Sequence, residues 1–253
     1  MHHLGVSLIV FACVFCSAML GMYLHGMLPD NHLSDESTSV VKLTIGLIAT
    51  LAALVLGLLI SSAKSSFDTI NGEVTRDAAN IILLDRVLAQ YGPQTDDLRA
   101  LLKQSVARGI EIISSHDPAQ IASLHTPEAY KRGETFQRKL QELTPQNDTQ
   151  RRLQARAIEM GDDIFAVREL GLLQAAGTTP TPLLVTLVLW LCIIFCAFGL
   201  FTSPNMTVTV ALFLGALSTS VAIYLILEMN TPLDGLVTVS LDPMREALAV
   251  LGQ

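Results

Sequence analysis

The sequence predicts an all-α polytopic membrane protein, with four transmembrane helices arranged two plus two around a cytoplasmic antiparallel helical domain. Two observations carry this. Four stretches, Leu4–Leu24, Leu43–Ala63, Leu183–Ser203 and Met206–Leu227, each hold 21 or 22 residues without an Asp, Glu, Lys or Arg. About 20 helical residues are needed to cross a hydrocarbon core. The second observation is the partition of charge. Only 15% of the residues are charged and the mean hydropathy is +0.49, yet fourteen of the sixteen Lys and Arg lie between Lys64 and Arg168. The expected organisation is residues 1–63 as spans one and two with a short external loop, 64–182 as a cytoplasmic helical domain, 183–227 as spans three and four, and 228–253 as a short cytoplasmic tail.

The first span reads as an uncleaved helix. Met1-His2-His3 lacks Lys and Arg, and the apolar run exceeds the roughly 7–15 residues of a secretory signal. The loop after it carries Asp30, Asp35 and Glu36, with Lys42 at its far edge. Lys64 follows the second span immediately, and basic residues stay on the cytoplasmic side. Both termini and the middle domain are therefore expected inside.

The second span carries two stripes at helical spacing. Gly46, Thr50, Ala53, Gly57 and Ser61 lead to Lys64 and Asp68, while Leu43, Leu47, Leu51, Leu54 and Leu58 form another face. Small residues let helices approach closely in a bilayer, where lipid supplies no hydrophobic drive for association. The stripe is read either as such packing or as the lining of a narrow water or ion path. Apolar residues at Ile70, Val74, Ala78, Ile81, Leu84 and Leu88 then carry the helix onward until Gly92-Pro93 stops it.

In the middle domain Thr95 is expected as an N-cap, with Asp96 and Asp97 complementing the helix dipole. Leu98, Leu101, Leu102, Val106, Ile110 and Ile113 give its apolar face. A further helix begins at Thr126-Pro127 with the stripe Tyr130, Gly133, Phe136 and Leu140. A last one opens at Asn147 or Asp148 and buries Leu153, Ala157, Met160, Ile164, Val167 and Leu170. The Gly177–Pro182 stretch reads as the hinge into the third span. The third span is read as lipid-facing or supporting, like the first. The fourth repeats a small stripe at Ala211, Gly215, Ser218 or Thr219, and Ala222.

Several function classes find no footing. The segment 64–182 has sixteen acidic and fourteen basic residues, a balance with no electrostatic footprint for nucleic acid. No Gly-rich phosphate loop or zinc spacing occurs, so no cofactor and no metal are expected. Cys13, Cys16, Cys192 and Cys196 all fall within spans and read as packing residues. His116 and His125 have no third ligand. No span places Asp, Glu, Lys, Arg or His near its centre, and the intramembrane Ser and Cys have no base to activate them. The chain is therefore not expected to be an enzyme. Asp68, Glu73 and Glu228 are the carboxylates expected near a pore mouth; Glu228 is read either as a carboxylate in water or as part of a charged ring.

The order of parts resembles that of bestrophins, and the local sequence is similar to the bacterial bestrophin-like domain. The resembling pieces are Gly46–Ala63 running into Phe67-Asp68, then Glu73 through Asp77-Ala78-Ala79-Asn80 to Leu88. The last is Leu227-Glu228-Met229-Asn230-Thr231-Pro232-Leu233-Asp234-Gly235, followed by Val239-Ser240 and Pro243. Leu233 stands where the family's turn carries an aromatic residue. The resemblance implies a homo-oligomeric channel in a bacterial inner membrane that conducts anions along its second helix. Gly46, Thr50, Ala53, Gly57, Ser61 and Lys64 would then line the path. The second span has none of the aromatic residues with which bestrophins narrow their pore, and no dense acidic cluster matches their calcium site. Expected partners are the lipid bilayer, further copies of the chain and ions. The alternatives are a non-conducting scaffold or regulator that binds a protein partner through its cytoplasmic helices, and a stator-like energy-transducing subunit.

Overall fold

The computed structural model describes residues 2–27, 35–115, 117–175, 181–203, 205–231, 235 and 237–253, with the backbone alone at residues 2, 35–38, 118, 125 and 167–175. Asp30, His116, most of the 177–182 hinge and the Pro232-Leu233-Asp234 turn lie outside the described residues. So do the side chains of Asp35, Glu36, His125, Val167 and Leu170. Every regular element among the described residues is helical: α1 (His2–His25), α2 (Asp35–Tyr91), α3 (Asp96–Ser114), α4 (Pro118–Ala122), α5 (Pro127–Gln141), α6 (Asp148–Ala175), α7 (Thr181–Leu200), α8 (Met206–Met229) and α9 (Asp242–Val250). Four of them, α1, α2, α7 and α8, are long and apolar enough to cross a membrane. The chain divides into two compact units, Met1–Ser65 with Thr178–Asn230 and Ser66–Gly177 with Thr231–Gln253.

The longest element is α2, a single helix of 57 residues. Nothing in its sequence interrupts the i→i−4 ladder, because Pro is absent and its three glycines are isolated. Gly92 then takes φ +125°, a conformation open to residues without a Cβ. Thr95 precedes α3 as its N-cap, but its side chain does not cap that helix. The hydroxyl instead donates backward to the Leu88 and Gly92 carbonyls. Thr95 thus corrects the expected cap: it satisfies orphan acceptors at the end of α2 and is fully buried in doing so.

In the first unit, α1 packs on α7 and α8 around Val10, Val14, Ala18, Phe195, Leu212, Ala216 and Ile223. The α1–α7 crossing is backbone against backbone. A Cβ on Gly21 would stand 1.9 Å from the Cys196 carbonyl oxygen, and one on Gly199 would stand 2.1 Å from that of Ala18. Small residues therefore make the tightest approach in α1 and α7. In α8 the buried small residues are Ala216 and Ser220, while Ala211 and Ser218 of the expected stripe are exposed. The Ser220 hydroxyl donates to the Ser7 carbonyl of α1, which removes the cost of burying it. On its bundle side α2 buries Ala52, Leu59 and Ala63 against Leu187, Ile194 and Ile226.

In the second unit, the end of α2 joins α3, α5, α6 and the residues after α8 around Ile81, Leu84, Leu88, Leu98, Leu102, Val106, Leu140, Ala157 and Leu251. Phe165 of α6 rests on Gly133 of α5, where a Cβ would meet its ring at 2.2 Å. The buried stripe of α5 is Ala129, Gly133 and Leu140, whereas Tyr130 is 43% exposed. The tail contains a helix that the sequence reading does not anticipate. In α9, Ala247 is buried and Met244 and Leu248 pack on the core.

A buried ion pair fixes the residues after α9. Arg99 donates from Nε to Asp85 Oδ1 at 2.9 Å and from Nη2 to Oδ2 at 3.0 Å. Gly252 N–H donates to the same carboxylate, Arg99 Nη2 reaches the Gln253 carbonyl, and Lys103 Nζ reaches that of Leu251. Burial alone would raise the pKa of Asp85. The Arg99 hydrogen bonds, the Gly252 N–H and the Coulombic pull of Arg99 and Lys103 outweigh it and hold the carboxyl below its usual value of 3.8.

Three substitutions test this packing. Gly199→Ala, which must push α1 from α7, is expected to destabilise the detergent-solubilised chain by about 1–3 kcal/mol. Gly5→Ala, whose Cβ enters open space, should leave the melting temperature unchanged or raise it, because alanine favours the helix by roughly 0.5–1 kcal/mol. Asp85→Asn is expected to cost about 3 kcal/mol at pH 7, by stranding Arg99. The depressed pKa contributes stability above the unfolded carboxyl's value, and that stability is lost as pH falls through the folded value. The gap between wild type and Asp85→Asn in circular-dichroism melts should therefore close below about pH 4.

Candidate functional site

Each residue of α2 turns about 100° around the helix axis, which sorts the first-unit part of α2 into three faces. One is the bundle face of Ala52, Leu59 and Ala63, bordered by Ile45, Ile48, Ala49, Val55 and Leu56. The leucine stripe lies about 140° from it in one direction and the small-residue stripe about 140° in the other. Both are left uncovered by the described helices of the chain: Gly46, Thr50, Ala53, Gly57, Ser61 and Lys64 are all exposed, and so are Leu43, Leu47, Leu51, Leu54 and Leu58.

The small face has no walls among the described residues of its own chain. Apart from adjacent residues and the helix's own backbone, no atom of the described residues lies within 4 Å of where a Cβ on Gly46 or Gly57 would stand. Thr50 donates its hydroxyl proton back to the Gly46 and Leu47 carbonyls, at 3.1 and 2.7 Å. Such a back-bonded threonine satisfies its donor within the helix, leaving oxygen lone pairs and a methyl group on the outer surface. The stripe therefore offers a narrow surface of backbone, hydroxyl oxygen and methyl groups, and it ends at a lysine.

The three carboxylates expected near a pore mouth have three different settings. Asp68 is exposed on α2 in the second unit. Glu73, about 140° further around the same helix, is half-buried and lines a cavity of about 490 Å³ in that unit. Glu228, in the first unit, is 4% exposed and accepts a hydrogen bond from the Tyr224 side chain one turn earlier. Glu228 is therefore buried within the chain, as are Ile223, Ile226 and Leu227 of the same helix. Hydropathy places it at a span end but does not show which face it occupies.

Other groups have structural surroundings. Cys13 and Cys16 are exposed and Cys192 and Cys196 partly buried, all four as free thiols. Among the described residues no group of three His, Cys, Asp or Glu is placed to hold a metal ion. Sequence reading does not find the α1–α7 glycine crossing or the α2–α3–α5–α6 cavity. The one signal that Gly21 and Gly199 carry is that each is a glycine near the end of an apolar span. The cavity has none, since it arises where helices distant in sequence fail to close.

The Bestrophin-like domain model matches residues 11–244. The structure is similar to the crystal structure of a bacterial bestrophin homologue from Klebsiella pneumoniae carrying a point mutation. The TM-score is 0.65 at 15% sequence identity, over 97% of this chain and 99% of that one. No curated protein matches the sequence.

The enclosure of Glu228 has a measurable consequence. In a chain whose four native cysteines are replaced by alanine, Glu228→Cys is expected to react with a charged thiol reagent about tenfold more slowly than Asp68→Cys. Equal rates, read by mass spectrometry of the labelled protein, would show that Glu228 is open to water.

Proposed function

Because the chain belongs to the bestrophin-like family, we propose that this multi-pass membrane protein is a homo-oligomeric channel that passes ions, anions by analogy with bestrophins, along the small face of α2. The supporting observation is the division of the uncovered part of α2 into a leucine stripe and a separate small, hydroxyl-bearing stripe. A face turned only to lipid gains from bulky apolar side chains and has no use for bare glycine backbone. Gly46, Thr50, Ala53, Gly57 and Ser61 instead suit a surface that meets water or a second helix.

One helix provides one wall. Copies of α2 around an axis would close the path, with the leucine stripe turned to the neighbouring copy or to lipid. Lys64 at the end of the stripe supplies positive charge, which concentrates anions at that mouth. The path needs no covalent chemistry and no cofactor. The excess of Lys and Arg between the second and third spans supports an inner-membrane orientation with both termini cytoplasmic.

Purified chain in planar bilayers is expected to conduct, and particle images should show a ring with an axial path. Gly57→Leu should cut single-channel conductance at least about tenfold while the ring persists, since one leucine per copy fills a narrow constriction. Absence of conductance together with a particle lacking an axial path would refute the proposal. Loss of assembly in Gly57→Leu, with no conductance in any variant, would favour the non-conducting scaffold.

A further inference from the structure

The channel reading leaves the second unit's cavity without a task. Its walls come from α2, α3, α5 and α6, with Leu241 and Met244. They are largely apolar, with Leu84, Leu102, Val106, Phe136, Ile164 and Phe165 among the lining residues. Two carboxylates interrupt the apolar wall, Glu73 and Asp77, one turn apart on α2. Glu73 Oε2 is buried, and no described residue donates a hydrogen bond to it. The lining also includes Arg108, Lys131 and Arg132, whose side chains are exposed and which do not donate to that oxygen either.

A carboxylate oxygen withdrawn from water needs a donor, and charge on the donor strengthens the bond. The cavity's volume lies within the roughly 300–1,000 Å³ of small-molecule sites, which combine apolar walls with a few placed polar groups. A ligand suited to both features carries an N–H-bearing positive charge at one end and a hydrocarbon body at the other. We propose that this cavity binds an amphipathic organic cation, its ammonium on Glu73 and its apolar body against Leu102, Val106 and Phe136. Asp77 adds negative potential one turn along α2. A carboxylate ligand would bring like charge toward Glu73 and Asp77 and would have to seat instead at the exposed Arg108, Lys131 and Arg132 of the lining, away from the Glu73 oxygen without a donor.

Two substitutions separate recognition of the charge from occupancy of the space. Glu73→Gln keeps the shape and removes the charge. Gly109 lines the same cavity with no atom within 4 Å of a Cβ placed there, so Gly109→Leu can occupy the space without an initial clash and with better helix propensity. The full chain in lipid nanodiscs is titrated calorimetrically with three matched probes, 4-phenylbutylammonium, 4-phenylbutanol and 4-phenylbutanoate. Empty nanodiscs measure partitioning into lipid. The ammonium is expected to bind saturably and about tenfold or more tighter than the alcohol, and the carboxylate most weakly. Glu73→Gln should erase the difference between ammonium and alcohol, and Gly109→Leu should abolish saturable binding of both. Thermal melts of each variant verify that it is folded. The proposal is overturned if the ammonium does not bind saturably, if the carboxylate binds as tightly, or if neither folded variant changes the affinity. Binding is read without conduction, so its outcome is independent of the channel proposal.

Discussion

The structure depends on one unbroken helix serving two different interiors. A buried stripe runs along α2 through Ala52, Leu59, Ala63, Ile70, Ile81 and Leu88, at spacings that return to nearly the same side of the helix. Its composition changes along the way. Where helices meet without help from water, the buried residues include the small Ala52 and Ala63, and contact comes from close approach and dispersion. Past Lys64 the stripe becomes Ile70, Ile81, Leu84 and Leu88, as expected where withdrawal of apolar area from water drives packing.

Polar groups are buried in this chain on specific terms. Ser220 is admitted to the α1–α8 contact because the Ser7 carbonyl accepts its proton. Asp85 is admitted because Arg99 approaches it with two donors and Gly252 with a third. The pair is weak as net stabilisation and strong as a constraint, since removal of either partner strands a charge. What the ion pair secures is position: it ties α2 and α3 to the segment that follows α9, whose Leu251 is buried in the same core. Glu73 departs from this pattern. Its buried oxygen has no described donor, and it lies beside space rather than beside a packed neighbour.

Legibility in the sequence followed the scale of the physics involved. The four membrane-capable helices were plain, because roughly 20 uncharged residues in a row match the thickness of a hydrocarbon core. The run of α2 to Tyr91 was also plain, because an uninterrupted period and a Gly-Pro stop are local signals. Thr95 shows where local reasoning fails. A threonine before Asp96-Asp97 has the pattern of an N-cap, yet the Leu88 and Gly92 carbonyls take its proton, and only the turn's geometry decides between them. Tyr130 was drawn into the α5 stripe by spacing, while its neighbour Ala129 holds the buried position. The helix α9 was missed because nine residues carry little periodicity; Asp242-Pro243 was its clearest mark. Hydropathy puts Glu228 at a span end, while its burial depends on its position around the helix, a coordinate that hydropathy does not resolve.

The same distinction bears on the small face of α2. Sequence spacing shows that Gly46, Thr50, Ala53, Gly57 and Ser61 share one side, and on its own it favours packing over lining. The structure adds that no described helix of the same chain covers that side, and that Ala52, Leu59 and Ala63 already provide the packing contact. Within one chain, the small stripe is therefore surplus to the fold. Gly21 of α1 and Gly199 of α7 are consumed by a crossing so close that a single Cβ would collide with backbone, whereas Gly46 and Gly57 have open space where a Cβ would stand. Glycine at those two positions is not required by packing within the chain. Under the proposed function its use lies in what approaches α2 from outside, because the packing contact within the chain is already made by Ala52, Leu59 and Ala63.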